Sequence, residues 1–379
     1  MNVLDSQRHL FDIPREIAYF NCAYISPLTN RAVDAGIAGL QRKARPWNIG
    51  PEAFFDETED ARAVFAELIG AHNNDIALVP AASYGLAVAT ANLPVKAGQS
   101  IVLQAEEYHS SVLSWRNAVR CTGGRIVVVE RPICGNWTAA ICDAIDEQTA
   151  VVHVCPTHWV CGGIVDLVEV SRRCKVVGAA LVVDATQSCG AQQLDVKECD
   201  PDFIVVAAYK WLLGPYSSGF LYVAPRHHEG IPLEQGWATR RYADDFRLLE
   251  YYEQFQPGAR RFDVGERSNF ALLPATIAAL RQILEWRVDR VEATIGEVTA
   301  VLAVAMQQMG ALVISDAYRA RHYLSVRFPQ GFPENLASRL AAEGVYVSVR
   351  GDWLRLTPHV YNDEPDINKL IFNLTAALK

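Results

Sequence analysis

The chain has 379 residues, of which half are hydrophobic and 21% charged, with a formal net charge of -8. That length allows two lobes, since single cores stop growing near ~250–300 residues, and charges this well mixed exclude an electrostatic nucleic-acid or anionic-membrane binder. No apolar run approaches the ~20 residues of a membrane span, and the start MNVLDSQRHLFDIPREI lacks a basic region followed by an apolar core, which predicts a cytoplasmic protein with small-molecule partners.

In chain order, AYFNCAYISPLTNRAV reads as an extended piece entering a helix with Ser26 as cap and Pro27 as first helical residue. Helical periodicity follows over Thr29–Arg42 and Glu52–Ile69, then a short apolar strand over Ile76–Val79 and a helix opened by PAASYGLAVATANLP. Ile101–Gln104 is another strand, followed by EEYHSSVLSWR, and strand, helix and strand alternate again through Ile126–Val129, Thr138–Ile145 and Val151–Cys155, a rhythm that implies a parallel sheet. A helix over Asp166–Gly178 leads to two apolar runs, Ala179–Val183 and Phe203–Ala208, with the composition of strands buried on both faces. A third run, Phe220–Val223, returns after WLLGPYSSG. The stretch from Ala224 to Arg261 is polar, aromatic and arginine-rich and reads as an irregular surface at a substrate mouth. Helices over Pro274–Trp286 and Val288–Met309 precede a small α+β region. Its strands are expected at Leu312–Ile314, His322–Phe328, Val345–Val349 and Trp353–Leu356, and its helices at Pro333–Glu343 and Glu364–Leu378. The nine cysteines (22, 121, 134, 142, 155, 161, 174, 189, 199) are odd in number and lack C-x-x-C spacing. They read as buried thiols in a reducing compartment, with neither a metal site nor a disulfide framework.

Two of the apolar runs lead to charged residues, Asp184 and Lys210. Ligands of open α/β sheets sit outside the carboxyl ends of the strands, so these two groups would face one crevice. A lysine withdrawn from water has a lowered pKa and is more often the free nucleophile a carbonyl needs. A buried carboxylate stays ionised only beside a cation, and the protonated ring nitrogen of pyridoxal 5′-phosphate is such a cation. Lys plus Asp thus suggests a Schiff-base enzyme. The competing reading, a turn residue and a solvated strand end, is weakened by Gln187 three residues after the Asp and Tyr209 directly before the Lys.

VVDATQSCGA and AAYKWLLGP resemble the aspartate-x-x-glutamine and Schiff-base lysine signatures of the class V aminotransferase group of fold type I pyridoxal-phosphate enzymes, in a form seen among kynureninase-like and isopenicillin-epimerase-like members. The resemblance runs from about Tyr19 to the C-terminus. It implies an α/β fold whose large domain holds a mostly parallel seven-stranded sheet flanked by helices, with a smaller α+β C-terminal domain. The division expected is an arm at 1–25, the large domain at 26–260 and the small domain at 261–379 with its linking helices.

It further implies that the cofactor phosphate rests on Ala82, Ser83 and Tyr84, that His109 lies over the pyridine ring, and that Asp184, Gln187 and Lys210 bind cofactor. At the turn PTHWVCGG the match fits either His158 or Trp159, the first named for the cofactor and the second for substrate. Asn21, in the arm, would lie near the site, and Arg355 would grip a substrate α-carboxylate, with Arg350 as second candidate. DVGERSNF resembles a segment that reaches the neighbouring subunit's cofactor phosphate, which implies a homodimer with shared sites; with Glu266 unable to donate when ionised, the contact would fall to Arg267, Ser268 or the Asn269 amide, and Ser268 and Asn269 are the cofactor candidates. Two departures stand out: Ala207 and Ala208 occupy positions where relatives carry a phosphate-binding hydroxyl, for which Tyr209 would substitute, and Glu266 replaces a threonine.

The expected reaction is that of a pyridoxal-phosphate enzyme on an α-amino acid. Lys210 and Asp184 are its catalytic pair and His109 a proton relay, with transamination placed ahead of β-lysis (carbon–sulfur lyase or kynureninase-like) and epimerisation. Only Gly351 to Leu354 separate Arg350 from Arg355, leaving no cysteine for a persulfide-forming desulfurase. The altered phosphate positions keep a second class open, a cofactor-binding protein without turnover.

Overall fold

The computed structural model describes residues 3–120 and 122–378, so Cys121 lies outside the described residues. The chain opens with a short strand, β1 (Ala18–Tyr19), and two helices, α1 (Asn30–Lys43) and α2 (Asp56–Ile69). The α1 N-cap is Thr29, whose hydroxyl accepts from the Ala32 amide at 3.2 Å. The expectation of a helix starting at Ser26 and Pro27 is therefore corrected. Ser26 instead docks on Tyr209, its amide 3.0 Å and its hydroxyl 3.2 Å from that carbonyl, so a long-range contact takes the residue that local propensity would make a cap.

Seven strands then build the main sheet: β2 (Ile76–Val79), β3 (Ser100–Gln104), β4 (Arg125–Val129), β5 (Thr149–Val154), β6 (Ala180–Asp184), β7 (Phe203–Ala207) and β8 (Gly219–Val223). Their spatial order is β2-β8-β7-β6-β5-β3-β4, and only β8 runs against its neighbours. The mostly parallel seven-stranded sheet expected from the sequence is thus present. Helices α3 (Ala82–Asn92), α4 (His109–Arg120), α5 (Trp137–Ala144), α6 (Leu167–Val177) and the single turn α7 (Val196–Cys199) fill the crossovers. The central strands β6, β7 and β8 are buried nearly throughout, and alternate residues feed opposite faces of the sheet. Leu181, Val183, Ile204 and Val206 join one apolar cluster, and Val182, Phe203, Val205 and Leu221 join the other. Asp166 caps α6 through the amides of Val168 (2.9 Å) and Glu169 (3.1 Å), and Gly178, at φ 75°, turns the chain into β6.

After residue 223 the chain is irregular up to α8, with only short 3-10 turns, one of them Gly258–Phe262. Helices α8 (Leu272–Trp286) and α9 (Val288–Gln308) follow; Leu280 and Ile283 of α8 belong to the large core, while Leu302 and Met306 of α9 belong to a separate one. The remaining chain forms β9 (Leu312–Val313), β10 (Leu324–Arg327), α10 (Leu336–Ala342), β11 (Val345–Tyr346), β12 (Ser348–Arg350), β13 (Trp353–Leu356) and α11 (Glu364–Ala377). The small sheet has the order β12-β13-β10-β9. Val345–Val349, expected as one strand, changes partners midway: β11 pairs in parallel with β1, while β12 turns back on β13.

Candidate cofactor and substrate site

A cavity of about 180 Å³ opens at the carboxyl ends of β5, β6 and β7, where Lys210, Asp184, Gln187, Ala82, Ser83, Tyr209 and Trp159 all meet. Lys210 is 7% exposed; its carbonyl accepts from the Leu213 amide at 3.0 Å, but its Nζ makes no hydrogen bond or ion pair with the described residues and lies 5.7 Å above the Tyr108 ring and 5.4 Å above that of Tyr209. Burial pulls its pKa down to about 8, against the opposing charge of Asp184 and with further lowering by Arg355. Asp184 is itself buried, which raises its pKa, while the Thr186 amide at 3.0 Å favours the carboxylate. Thr186 also accepts from the Ala207 amide at 3.1 Å, tying the end of β6 to the end of β7 and so setting Asp184 relative to Lys210. Gln187 is held on both sides, donating to the Ala23 carbonyl (3.2 Å) and accepting from Trp211 Nε1 (3.1 Å).

One wall is the start of α3, with Ala82 and Ser83 in the lining, together with Tyr216 and Ser217 from the return loop. Ser217 sits at φ 64°, a conformation that costs a non-glycine residue free energy and that clusters at ligand sites. Tyr84 falls outside the lining, its phenol turned to Glu234.

The histidines expected at the ring are placed otherwise. His109 is exposed and outside the lining; its predecessor Tyr108 presents its ring to Lys210. Tyr108 ends the loop before α4, whereas His109 is the first residue of the helix, its ring packed beside those of Tyr108 (centroids 6.0 Å apart) and Trp159 (6.4 Å) rather than in the lining. His158 is fully buried, stacked on Trp137 (ring centroids 5.0 Å apart), with Nε2 2.9 Å from the Ala105 carbonyl. Of the two alternatives at that turn, Trp159 therefore faces the cavity, its indole donating to the Glu106 carbonyl at 2.6 Å.

Beneath the cavity, Glu107, His153 and Cys155 bring ligand-type atoms within 4.8 Å of one another. Burial raises the Glu107 and Cys155 pKa values and lowers that of His153 to about 3, so all three favour their uncharged forms. Glu107 and Cys155 line the cavity, as do Tyr108, Tyr216 and Ser217, all missed from the sequence. The signal for Tyr108 was available, since a residue just ahead of a helix at a strand's carboxyl end points at the crevice.

Arg355 lies behind Trp159 and is 1% exposed. Its Nη1 donates to the Trp159 carbonyl (3.0 Å) and to the Tyr323 hydroxyl (3.1 Å), Nε to Ser348 (2.9 Å), and Nη2 has no partner among the described residues. Arg350 is half-buried, bonded through Nη1 to the Val349 carbonyl at 2.7 Å. Asn21 stands outside the lining on the arm bridged to Thr357, and its buried Oδ1 is unpartnered among the described residues. Ser268 and Asn269 do not line this cavity; Asn269 caps α8 through the Ala271 (3.1 Å) and Leu272 (2.9 Å) amides.

A buried amine without a partner, a buried carboxylate that wants a cation and a helix start among small residues together fit a phosphorylated pyridine aldehyde. Residues 51–355 match the aminotransferase class-V family, and the chain belongs to that family of pyridoxal-phosphate-dependent enzymes. Among similar proteins, a probable cysteine desulfurase of Methanothermobacter thermautotrophicus is 33% identical over 53% of this chain and 51% of its own length. An uncharacterized aminotransferase of Bacillus subtilis, YcbU, is 25% identical over 92% of this chain and 90% of its own. In structure, the cystine C–S lyase C-DES, in complex with its product cysteine persulfide, superposes with a TM-score of 0.86 at 18% identity, covering 96% of this chain and 98% of that one.

Proposed function

We propose that this protein acts on an α-amino acid by proton transfer at the α-carbon, with transamination as its reaction. The observation that carries this reading is that Lys210 is the only basic side chain lining the cavity, among the described residues. Transamination needs one base able to serve two carbons, the substrate α-carbon and the cofactor's aldehyde carbon, which lie either side of the substrate nitrogen, and an amine with a pKa of about 8 is neutral in roughly a tenth of molecules at pH 7. Pyridoxal phosphate, when bound, supplies the electron sink for the charge left by the departing proton. Asp184 would hold the ring nitrogen protonated, Gln187 would fix the ring edge, and Tyr108 would cover its face. The unpartnered Nη2 of Arg355 offers a donor to a substrate carboxylate. The hairpin β12–β13, closed by Gly351 and Asp352 alone, leaves no room for a loop thiol.

β-Elimination from a sulfur amino acid is the second reading, favoured by the likeness to C-DES and by the desulfurase relatives. The deciding experiment is an absorbance spectrum between about 320 and 450 nm before and after borohydride, then with a panel of L-amino acids. A keto acid formed with loss of the visible band supports transamination; pyruvate with ammonia or sulfide replaces it by the lyase reading. A protein that shows no band after addition of the cofactor, and turns over no amino acid, would be neither.

A further inference from the structure

A second cavity, of about 220 Å³, adjoins the first: Pro80 and Ser217 line both, and the far wall of the second carries Glu266, Arg267, Asn269 and Ser218. Arg267 is 4% exposed, yet none of its three guanidinium nitrogens has a hydrogen-bond acceptor among the described residues. It lies 5.5 Å over the Phe55 ring, and its Nε is ion-paired with Asp263 Oδ2 at 3.2 Å without hydrogen-bonding to it. Asp263 is already engaged, by both terminal nitrogens of Arg62 and by the Leu78 amide at 2.8 Å. The surrounding cluster holds three arginines (62, 260, 267) against two carboxylates (Glu59, Asp263), which leaves one positive charge in excess. Glu266 is exposed and forms no ion pair with Arg267 among the described residues.

A buried guanidinium with all its donors idle is costly unless an anion completes it. We propose that Arg267 is an anion-binding residue that takes a phosphate group, that of the cofactor, in compensation for the hydroxyls absent at Ala207, Ala208 and Glu266. Phosphate suits the site because its several oxygens accept from a planar fork of donors, and because the Ser217 and Ser218 hydroxyls border the same space. Burial pulls the Arg267 pKa below its ordinary value, against the raising effect of Asp263, with which Nε is ion-paired at 3.2 Å. The inference rests on the family's cofactor and is independent of which reaction follows.

The test compares binding of pyridoxal 5′-phosphate and of pyridoxal to the cofactor-stripped full chain, wild type against Arg267→Met and Arg267→Lys, by fluorescence titration. Expected is a loss of roughly 10- to 100-fold in affinity for the phosphorylated form in Arg267→Met, with pyridoxal unaffected, an intermediate loss in Arg267→Lys and no drop in apoprotein Tm. Inorganic phosphate should raise the wild-type apoprotein Tm and not that of Arg267→Met. If that rise persists with pyridoxal phosphate bound, the anion held is free phosphate rather than the cofactor's. Equal affinities in all three proteins overturn the proposal, and so does a parallel loss of both ligands with a lowered Tm, which marks a packing role. A wild type that binds neither ligand removes the cofactor assignment instead.

Discussion

Lys210 reacts only as the free amine, and its burial against the partial opposition of Asp184 sets the pH at which that form appears. Capture of added pyridoxal phosphate by the stripped protein should therefore accelerate with rising pH and level off with a midpoint near 8, well below that of a solvated lysine. Because Asp184 favours the ammonium, Asp184→Asn should move the midpoint lower; a midpoint near 10 in the wild type would show the amine to be solvated. The neighbouring pair Tyr108 and His109 offers a sharper contrast. Tyr108→Ala should weaken cofactor binding by up to ~10-fold, the worth of one aromatic contact, and His109→Ala should leave it unchanged, both read by the same titration. That Asp184 and Lys210 would meet at one cavity was legible in the sequence because each follows a buried strand, and Gln187 came with them through the resemblance. The choice of Tyr108 over His109 was legible from the helix start and was missed, whereas the burial of His158 on Trp137 was not legible, since no local pattern encodes a contact with a ring on another element.

Elements position these residues through close approaches. Helix α3 can lie on β7 because residue 85 is glycine: an added Cβ would stand 2.6 Å from Val205 Cγ1. Gly85→Ala should cost about 1–3 kcal/mol by thermal or denaturant unfolding and also loosen cofactor binding, since the start of the same helix lines the cavity. Unfolding unchanged from wild type would mean that α3 shifts freely. The strands of the main sheet and the helices α5 and α6 were readable to within a residue or two from apolar runs and period, while α4 and the single turn α7 were not marked as helices. What escaped were positions where a distant partner decides, as at Ser26, held by Tyr209, and at Val347, where one apolar run is divided between the arm and the small sheet.

At the scale of the molecule, the Arg62–Asp263 pair fastens α2 to the segment before α8 from inside the core, both side chains being fully buried. Arg62→Ala should cost about 3–5 kcal/mol in denaturant unfolding by stranding Asp263, a loss larger than a surface ion pair can produce. The arm from Phe20 to Ser26 is the other fastening. Cys22 takes the Thr357 carbonyl, Ala23 receives Gln187, and Ser26 reaches Tyr209, next to the lysine. The walls of the cavity come from residues between Pro80 and Ser217, but the arm that braces Gln187 and Tyr209 is itself tied to Thr357, more than three hundred positions along the chain, so that closure of a long loop precedes the finished brace. A ribosome that has not yet released Thr357 holds a chain whose arm lacks one of its fastenings. The last part of the chain to be made thus tightens a brace behind a cavity whose own lining was complete by Ser217.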